Sequence, residues 1–253
     1  MPVSTLIFDV DGTLADTERD GHRVAFNLAF AATGLDWVWS EALYGELLAV
    51  TGGKERIRHY LEHYHTAYQK PQAFAAFVAD LHAAKTQYYT QLLATGCMPL
   101  RPGVKRLLGE VRDAGLRLAI ATTTTPANVS ALLRYSLDES AETWFEVIAA
   151  GDVVPAKKPA PDIYQYALDQ LGVPAQDCLA FEDSENGWLS AHAANIPTLI
   201  TINDYTKAHD FTGALLVLDQ LGEPEQPFRV LGGAMQTSHT YVDLAMIQQL
   251  HCA

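Results

Sequence analysis

Five short apolar runs constrain this chain more than any other feature. Thr5-Leu6-Ile7-Phe8 is followed by runs at 117–121, 145–149, 178–181 and 197–200, and the first is stopped by Asp9 and Gly12. A continuous apolar run of this length has the pattern of a strand buried on both faces and is too short for a core helix. Segments at 104–114, 126–137, 162–171 and 186–194 lie between them and carry apolar residues at helical spacing. The alternation predicts an α/β fold with a doubly wound, Rossmann-like parallel sheet. At 253 residues, 49% of them hydrophobic, the chain can bury a large core.

The interval 16–96 breaks the alternation. It has helical periodicity, as at Phe74, Phe77, Val78 and Leu81, and no buried strand pattern. It reads as a helical cap inserted after the first strand, over the carboxyl ends of the strands, where open α/β sheets place their ligands. The expected division is a core of 1–15 and 97–222, a cap of 16–96, and a tail of 223–253 without an assigned role. In that tail Pro224, Pro227 and Gly232-Gly233 indicate irregular chain before a helix near 241–251.

Composition removes several classes of function. The net charge is −13, from 30 acidic and 17 basic residues, and no basic stripe suits a nucleic-acid backbone. No apolar stretch approaches the roughly 20 residues of a membrane span. The N-terminus lacks the basic and apolar regions of a signal peptide. Cys97, Cys178 and Cys252 have no metal-knuckle or redox spacing. These features point to a soluble, cytoplasmic and monomeric protein with a small-molecule partner, no nucleic acid and no membrane. An acidic chain can still take an anionic substrate if a divalent metal and a few placed lysines reverse the local field.

The residues that carry chemistry follow the strands. In Phe8-Asp9-Val10-Asp11-Gly12-Thr13 two carboxylates two residues apart face one crevice, an arrangement that asks for a cation and a division of labour. The tetrapeptide alone is equally an ordinary turn or half of a calcium loop. Thr122 ends the second run, and Thr123 and Thr124 lead into a helix start that can grip a phosphoryl oxygen or merely cap the helix. Lys158 follows the third run between prolines, and Glu182-Asp183 follows the fourth with oxygen donors suited to magnesium. Each has a bland reading alone; the four in this order are far less ordinary.

Together, Asp9-x-Asp11-Gly-Thr, Thr122, Lys158-Pro and Glu182-Asp183 resemble the four motifs of haloacid dehalogenase-like phosphohydrolases. His22-Arg-Val-Ala-Phe-Asn27, Thr51-Gly-Gly-Lys54-Glu-Arg56 and Gly151-Asp-x-Val-x-x-Lys-Lys-Pro159 further resemble the CbbY-type xylulose-1,5-bisphosphate phosphatases, which destroy an inhibitor of the carbon-fixing carboxylase. The likeness runs from about residue 3 to 215, with departures at Asp16 and at Asp20-Gly21. It implies that Asp9 attacks phosphorus and that Asp11 handles protons. It further implies Mg2+ held by Asp9, the Asp11 carbonyl and Asp183, with Glu182 helping directly or through water, while Lys158 and Thr122 bind the remaining oxygens. Glu18, His22, Lys54, Arg56 and Lys85 of the cap, with Thr123 and Thr124, are the expected substrate contacts. A sugar phosphomutase uses the same motifs and stays open as an alternative. A phosphate-accepting receiver module has no need of Asp11.

Overall fold

The computed structural model describes residues 3–251; Met1, Pro2, Cys252 and Ala253 lie outside them. Its framework is a sheet of seven strands: β1 (Thr5–Phe8), β2 (Arg117–Thr122), β3 (Val147–Ala150), β4 (Cys178–Glu182), β5 (Thr198–Thr201), β6 (Leu216–Leu218) and β7 (Val230–Gly232). The order is β3-β2-β1-β4-β5-β6-β7, parallel throughout except for β7. β1 lies between β2 and β4, with Phe8 opposite Ile120 of β2 and Phe181 of β4. Residues following β1, β2 and β4 therefore emerge side by side.

The period-two alternation of strands divides the buried side chains between two faces. Leu6, Phe8, Ile120, Leu179 and Phe181 join one cluster, with Phe8 and Phe181 stacked at 4.4 Å. Ile7, Ala119, Ala121, Cys178 and Ala180 join the other, against Ile163, Tyr164 and Ala167 of α7 (Asp162–Leu171). Small residues on the second face let that helix approach closely. Among the helices on the first face are α5 (Val104–Asp113) and α6 (Pro126–Leu132), the latter continued by a wider turn over Leu133–Leu137. α8 (Glu185–Ala193) starts directly after β4, with Ser184 Oγ accepting from Gly187 N.

Between β1 and α5 the chain is helical: α1 (Arg23–Ala32), α2 (Glu41–Leu47), α3 (Gly53–His63) and α4 (Phe74–Ala94). These helices have an aromatic core of their own, built on Phe26, Phe30, Trp37, Trp39, Tyr44 and Tyr60. Tyr205, from the loop after β5, packs against it.

The segment beyond Gly222 has the helix expected near 241–251 and differs from the sequence expectation in its extra strand and its packing into the core. It supplies β7, antiparallel to β6, and α9 (Leu244–His251), and Val242, Met246, Ile247 and Leu250 enter the first-face cluster. Arg106 of α5 donates to the carbonyls of Gly222 and Val242. The prolines and paired glycines mark turns within this segment, but three-residue β6 and β7 are too short to give a legible alternation. Among the described residues no helix is long and apolar enough to cross a membrane.

Candidate active site

Asp9 continues β1, its N–H donating to the carbonyl of Phe181 on β4 at 3.0 Å. This places its carboxylate beside the end of β4, where Glu182 and Asp183 stand, and one ligand oxygen from each of the three lies within 4.8 Å of the others. Lys158 Nζ is clasped among them, donating to Asp9 Oδ1 at 2.7 Å, Glu182 Oε1 at 2.6 Å and the Ala121 carbonyl at 2.9 Å. Tyr164 OH donates to Glu182 Oε1 at 2.5 Å. Glu182 Oε2 is buried without a partner, resting against the α-carbon side of Gly187, where any Cβ would overlap it.

Three buried carboxylates thus face one buried ammonium, a formal excess of two negative charges where desolvation is costly. The excess is felt as protonation. Burial pushes Asp9 up to about 7, helped by Glu182 and Asp11 and opposed by Lys158. Burial together with Asp9 and Glu182 pushes Asp183 well above the usual carboxylate range. Burial disfavours the Lys158 ammonium, but Asp9 and Glu182 outweigh that and hold its pKa above the ordinary value. A hard divalent cation with oxygen ligands matches both the charge deficit and the donor set.

Asp11 points the other way, toward the helical insert. Its Oδ1 accepts from Thr17 Oγ1 at 2.5 Å and lies 2.8 Å from His22 Nε2. Lys85 Nζ, buried in α4, lies 2.6 Å from His22 Nδ1. With the ammonium donating to Nδ1, the imidazole presents Nε2–H to Asp11, which fixes the tautomer. Tyr89 stacks on the ring at 3.9 Å. Burial alone raises Asp11, yet His22, Thr17 and Lys85 together hold it well below the usual range. Burial and Arg56 lower Lys85 to about 8 against the pull of Asp11 and Glu18.

A cleft of about 280 Å³ lies between sheet and insert, lined by Asp9, Asp11, Thr122, Lys158 and Asp183 below and by Glu18 and Arg56 above. Thr122 Oγ1 accepts from Thr124 N at 3.3 Å. Thr123 lines the cleft, and Thr124 lines an inner recess with His22 and Lys85. Arg56 is braced by Tyr44, to whose hydroxyl it donates at 2.9 Å while that hydroxyl donates to Glu18 Oε2 at 2.5 Å. Lys54 is not in this cleft: its ammonium lies 2.5 Å from Asp152 Oδ2, outside it, and Lys157 binds the other oxygen of Asp152 at 2.7 Å. The sequence shows two cations beside Gly52-Gly53; the path of α3 turns only Arg56 inward.

Sequence reasoning passes over Thr17, Tyr164, Tyr44 and Asn203, although all touch the site. Asn203 Nδ2 donates to Asp183 Oδ2 at 2.6 Å. Asn203 was findable, since it stands two residues past β5 and the strand-end rule that selects Asp183 selects it too. No local pattern marks Tyr164 or Tyr44, which are buried helix aromatics like many others.

The model of the haloacid dehalogenase-like hydrolases matches residues 3–195. The plasmid CbbY protein of Cupriavidus necator is 47% identical over 251 residues, 98% of this chain and 97% of that one. A crystal structure of CbbY from Rhodobacter sphaeroides in complex with phosphate superposes with a TM-score of 0.82 at 45% identity, covering 92% of this chain and 97% of the other. A second structure of that protein, an Asp-to-Asn variant with the same identity and TM-score, holds xylulose-1,5-bisphosphate. With Asp9, Thr122, Lys158 and Asp183 gathered at the strand ends, these likenesses make the chain a member of the haloacid dehalogenase-like hydrolases, of the CbbY group, and a phosphoric monoester hydrolase.

Proposed function

We propose that the protein is a Mg2+-dependent phosphatase of a sugar bisphosphate, with xylulose-1,5-bisphosphate converted to xylulose 5-phosphate as the leading reaction. This would remove an inhibitor of the carbon-fixing carboxylase, in a monomeric cytoplasmic enzyme. The observation that carries the reading is the split between the two aspartates: Asp9 belongs to the Lys158–Glu182–Asp183 cluster and Asp11 to the Thr17–His22–Lys85 group. The choice of substrate is supported by the xylulose-1,5-bisphosphate held by a relative 45% identical to this chain.

In this mechanism Asp9 attacks phosphorus through the carboxylate oxygen that Lys158 does not occupy. An aspartyl-phosphate forms as the bond to the sugar oxygen breaks. Lys158 and Thr122 hold the phosphoryl oxygens. Asp11 first protonates the leaving oxygen, then takes a proton from the water that cleaves the acyl phosphate. His22, Thr17 and Lys85 keep it ionised for the second task; an arriving phosphoryl group raises its pKa by like-charge repulsion, which suits the first. Asp9, Asp183, the Asp11 carbonyl and Glu182 would hold Mg2+, which when bound would supply positive charge against the phosphoryl group. Arg56, fixed by Tyr44, offers a planar fork to the second phosphate, with Glu18 beside it for sugar hydroxyls.

The test is a phosphate-release screen over sugar mono- and bisphosphates, with and without Mg2+. A bisphosphate should lead clearly. A flat profile rules against the substrate, and isomerised monophosphate in place of free phosphate indicates a mutase. Asp9→Asn should abolish release, and Asp11→Asn should reduce it by roughly 10²- to 10⁴-fold; normal turnover in Asp9→Asn sinks the mechanism.

A further inference from the structure

The loop after β5 has no part in the four strand-end motifs, yet its first polar side chain touches the cation site. Asn203 Nδ2 donates to Asp183 Oδ2 at 2.6 Å. The other end of the amide is also engaged, Oδ1 accepting from Tyr205 N at 2.9 Å, and Asn203 N donates to Thr206 Oγ1 at 2.9 Å. These bonds make a closed Asx turn in which the side chain has no freedom to rotate.

The turn is held from both sides. Arg101, itself 7% exposed, donates to the carbonyls of Thr201, Ile202 and Asp219 and to that of Gly12 in the Asp9–Asp11 turn. One guanidinium thereby ties the start of the Asn203 loop to the turn that carries the nucleophile. Above, the Tyr205 ring lies against Gly45, where a Cβ would come within 3.0 Å of it, and meets Tyr44 at a centroid distance of 6.2 Å. Gly12 completes the frame. Its φ is +89°, and a Cβ there would overlap Asp183 Oδ2 and stand 2.6 Å from Asn203 Nδ2. The turn can pass so close only because Gly12 has no side chain, the Asn203–Asp183 pair occupying the space that any other residue would need.

We infer that Asn203 is a positioning residue for the cation site: its amide fixes the Asp183 carboxylate by one oxygen and so presents the other toward Asp9 and Glu182. The inference rests on the proposed Mg2+ site. An outer hydrogen-bond partner of this kind orients a ligating carboxylate and lowers the cost of ordering it when the cation binds. Deprived of the amide, Asp183 can rotate, and a buried ligand that must be re-ordered binds metal more weakly.

The experiment is calorimetric titration of Mg2+ into the metal-free full chain, with thermal unfolding in chelator to establish that each variant folds. Asn203→Ala and Asn203→Ser should each weaken Mg2+ binding about tenfold or more, the range found for outer partners of metal ligands. The serine hydroxyl can still accept from Tyr205 N and keep the turn, but it is too short to reach Asp183. Wild-type affinity in Asn203→Ser alongside a loss in Asn203→Ala assigns the effect to the turn and overturns the inference. Wild-type affinity in both variants, with binding lost in Asp183→Asn, overturns it and leaves the Mg2+ site standing. Undiminished binding in Asp183→Asn brings down the site and the inference together.

Discussion

Withdrawing Mg2+ at different pH values is the sharpest perturbation of the charge arrangement. In the metal-free fold burial raises Asp9 from 3.8 to about 7, so the native state binds a proton that the unfolded chain has released. For an acid shifted in this direction stability falls as pH rises from about 4 to about 7, and the penalty is complete above that. A rise from 3.8 to about 7 corresponds to a penalty on the order of 4 kcal/mol. The cation needs the carboxylate ionised, so below pH 7 it must displace this proton, and each pH unit lost weakens its binding about tenfold. Between pH 8 and pH 6 the stabilisation by excess Mg2+ should therefore shrink by at least about 1 kcal/mol, or at least roughly 2–4 °C in melting temperature for a chain of this size. Calorimetry in two buffers of different ionisation enthalpy counts the protons directly: at least about one released per Mg2+ at pH 6, because Asp183 is raised as well as Asp9, and fewer at about pH 8.5. Mg2+ binding that releases no proton at pH 6, or stabilises equally at both pH values, would refute the argument that this cluster holds a proton in place of its cation.

Other expectations follow from single contacts. Tyr164→Phe removes the hydroxyl that donates to Glu182 at 2.5 Å and should cost about 1.5–3 kcal/mol in urea unfolding; a variant as stable as wild type means that the buried carboxylate draws nothing from this bond. Lys54→Met breaks a rim pair with Asp152 and should change stability by less than about 1 kcal/mol, with KM for a sugar bisphosphate within about threefold of wild type. Arg56→Lys, which loses the planar fork, should raise that KM about tenfold or more; the reverse ranking would return Lys54 to the substrate site. Deleting 223–253 removes five buried side chains, Phe228, Val242, Met246, Ile247 and Leu250. At about 1.5–3 kcal/mol each they amount to most of a domain's stability, so circular dichroism should show an unfolded chain.

What the sequence makes legible here is what topology dictates. A parallel sheet brings the residues following adjacent strands to one edge, so Asp9, Thr122, Lys158 and Glu182-Asp183 can be grouped before any coordinates exist. The limit of that rule is seen at Lys54 and Arg56. They are two positions apart in one helix, and which of them enters the cleft depends on how α3 docks, with Arg56 drawn to the Leu47 carbonyl and Tyr44. The packing of the tail, though not its final helix, is hidden for a different reason. Its apolar residues are scattered among turns, and their burial depends on Arg106 of α5 capturing the carbonyls of Gly222 and Val242. Such capture joins positions more than a hundred residues apart and leaves no local period to read.

The two aspartates bring both limits together. Asp9 and Asp11 are the same residue type on one turn, and their spacing alone states only that they must differ. Their difference comes from groups distant in the chain. Lys158, Glu182 and burial act on the first and raise it; His22, Thr17 and Lys85 act on the second and hold it down despite burial. The partners of Asp9 come from the sheet edge and those of Asp11 from the segment leading into the insert and from its long helix α4. One environment is thus set by the core and the other by how the insert lies on it. In the proposed mechanism a displaced insert would separate Asp11 from Lys85 while leaving Asp9 and Lys158 paired, so the proton transfers proposed for Asp11 would require the insert to be seated over the cleft.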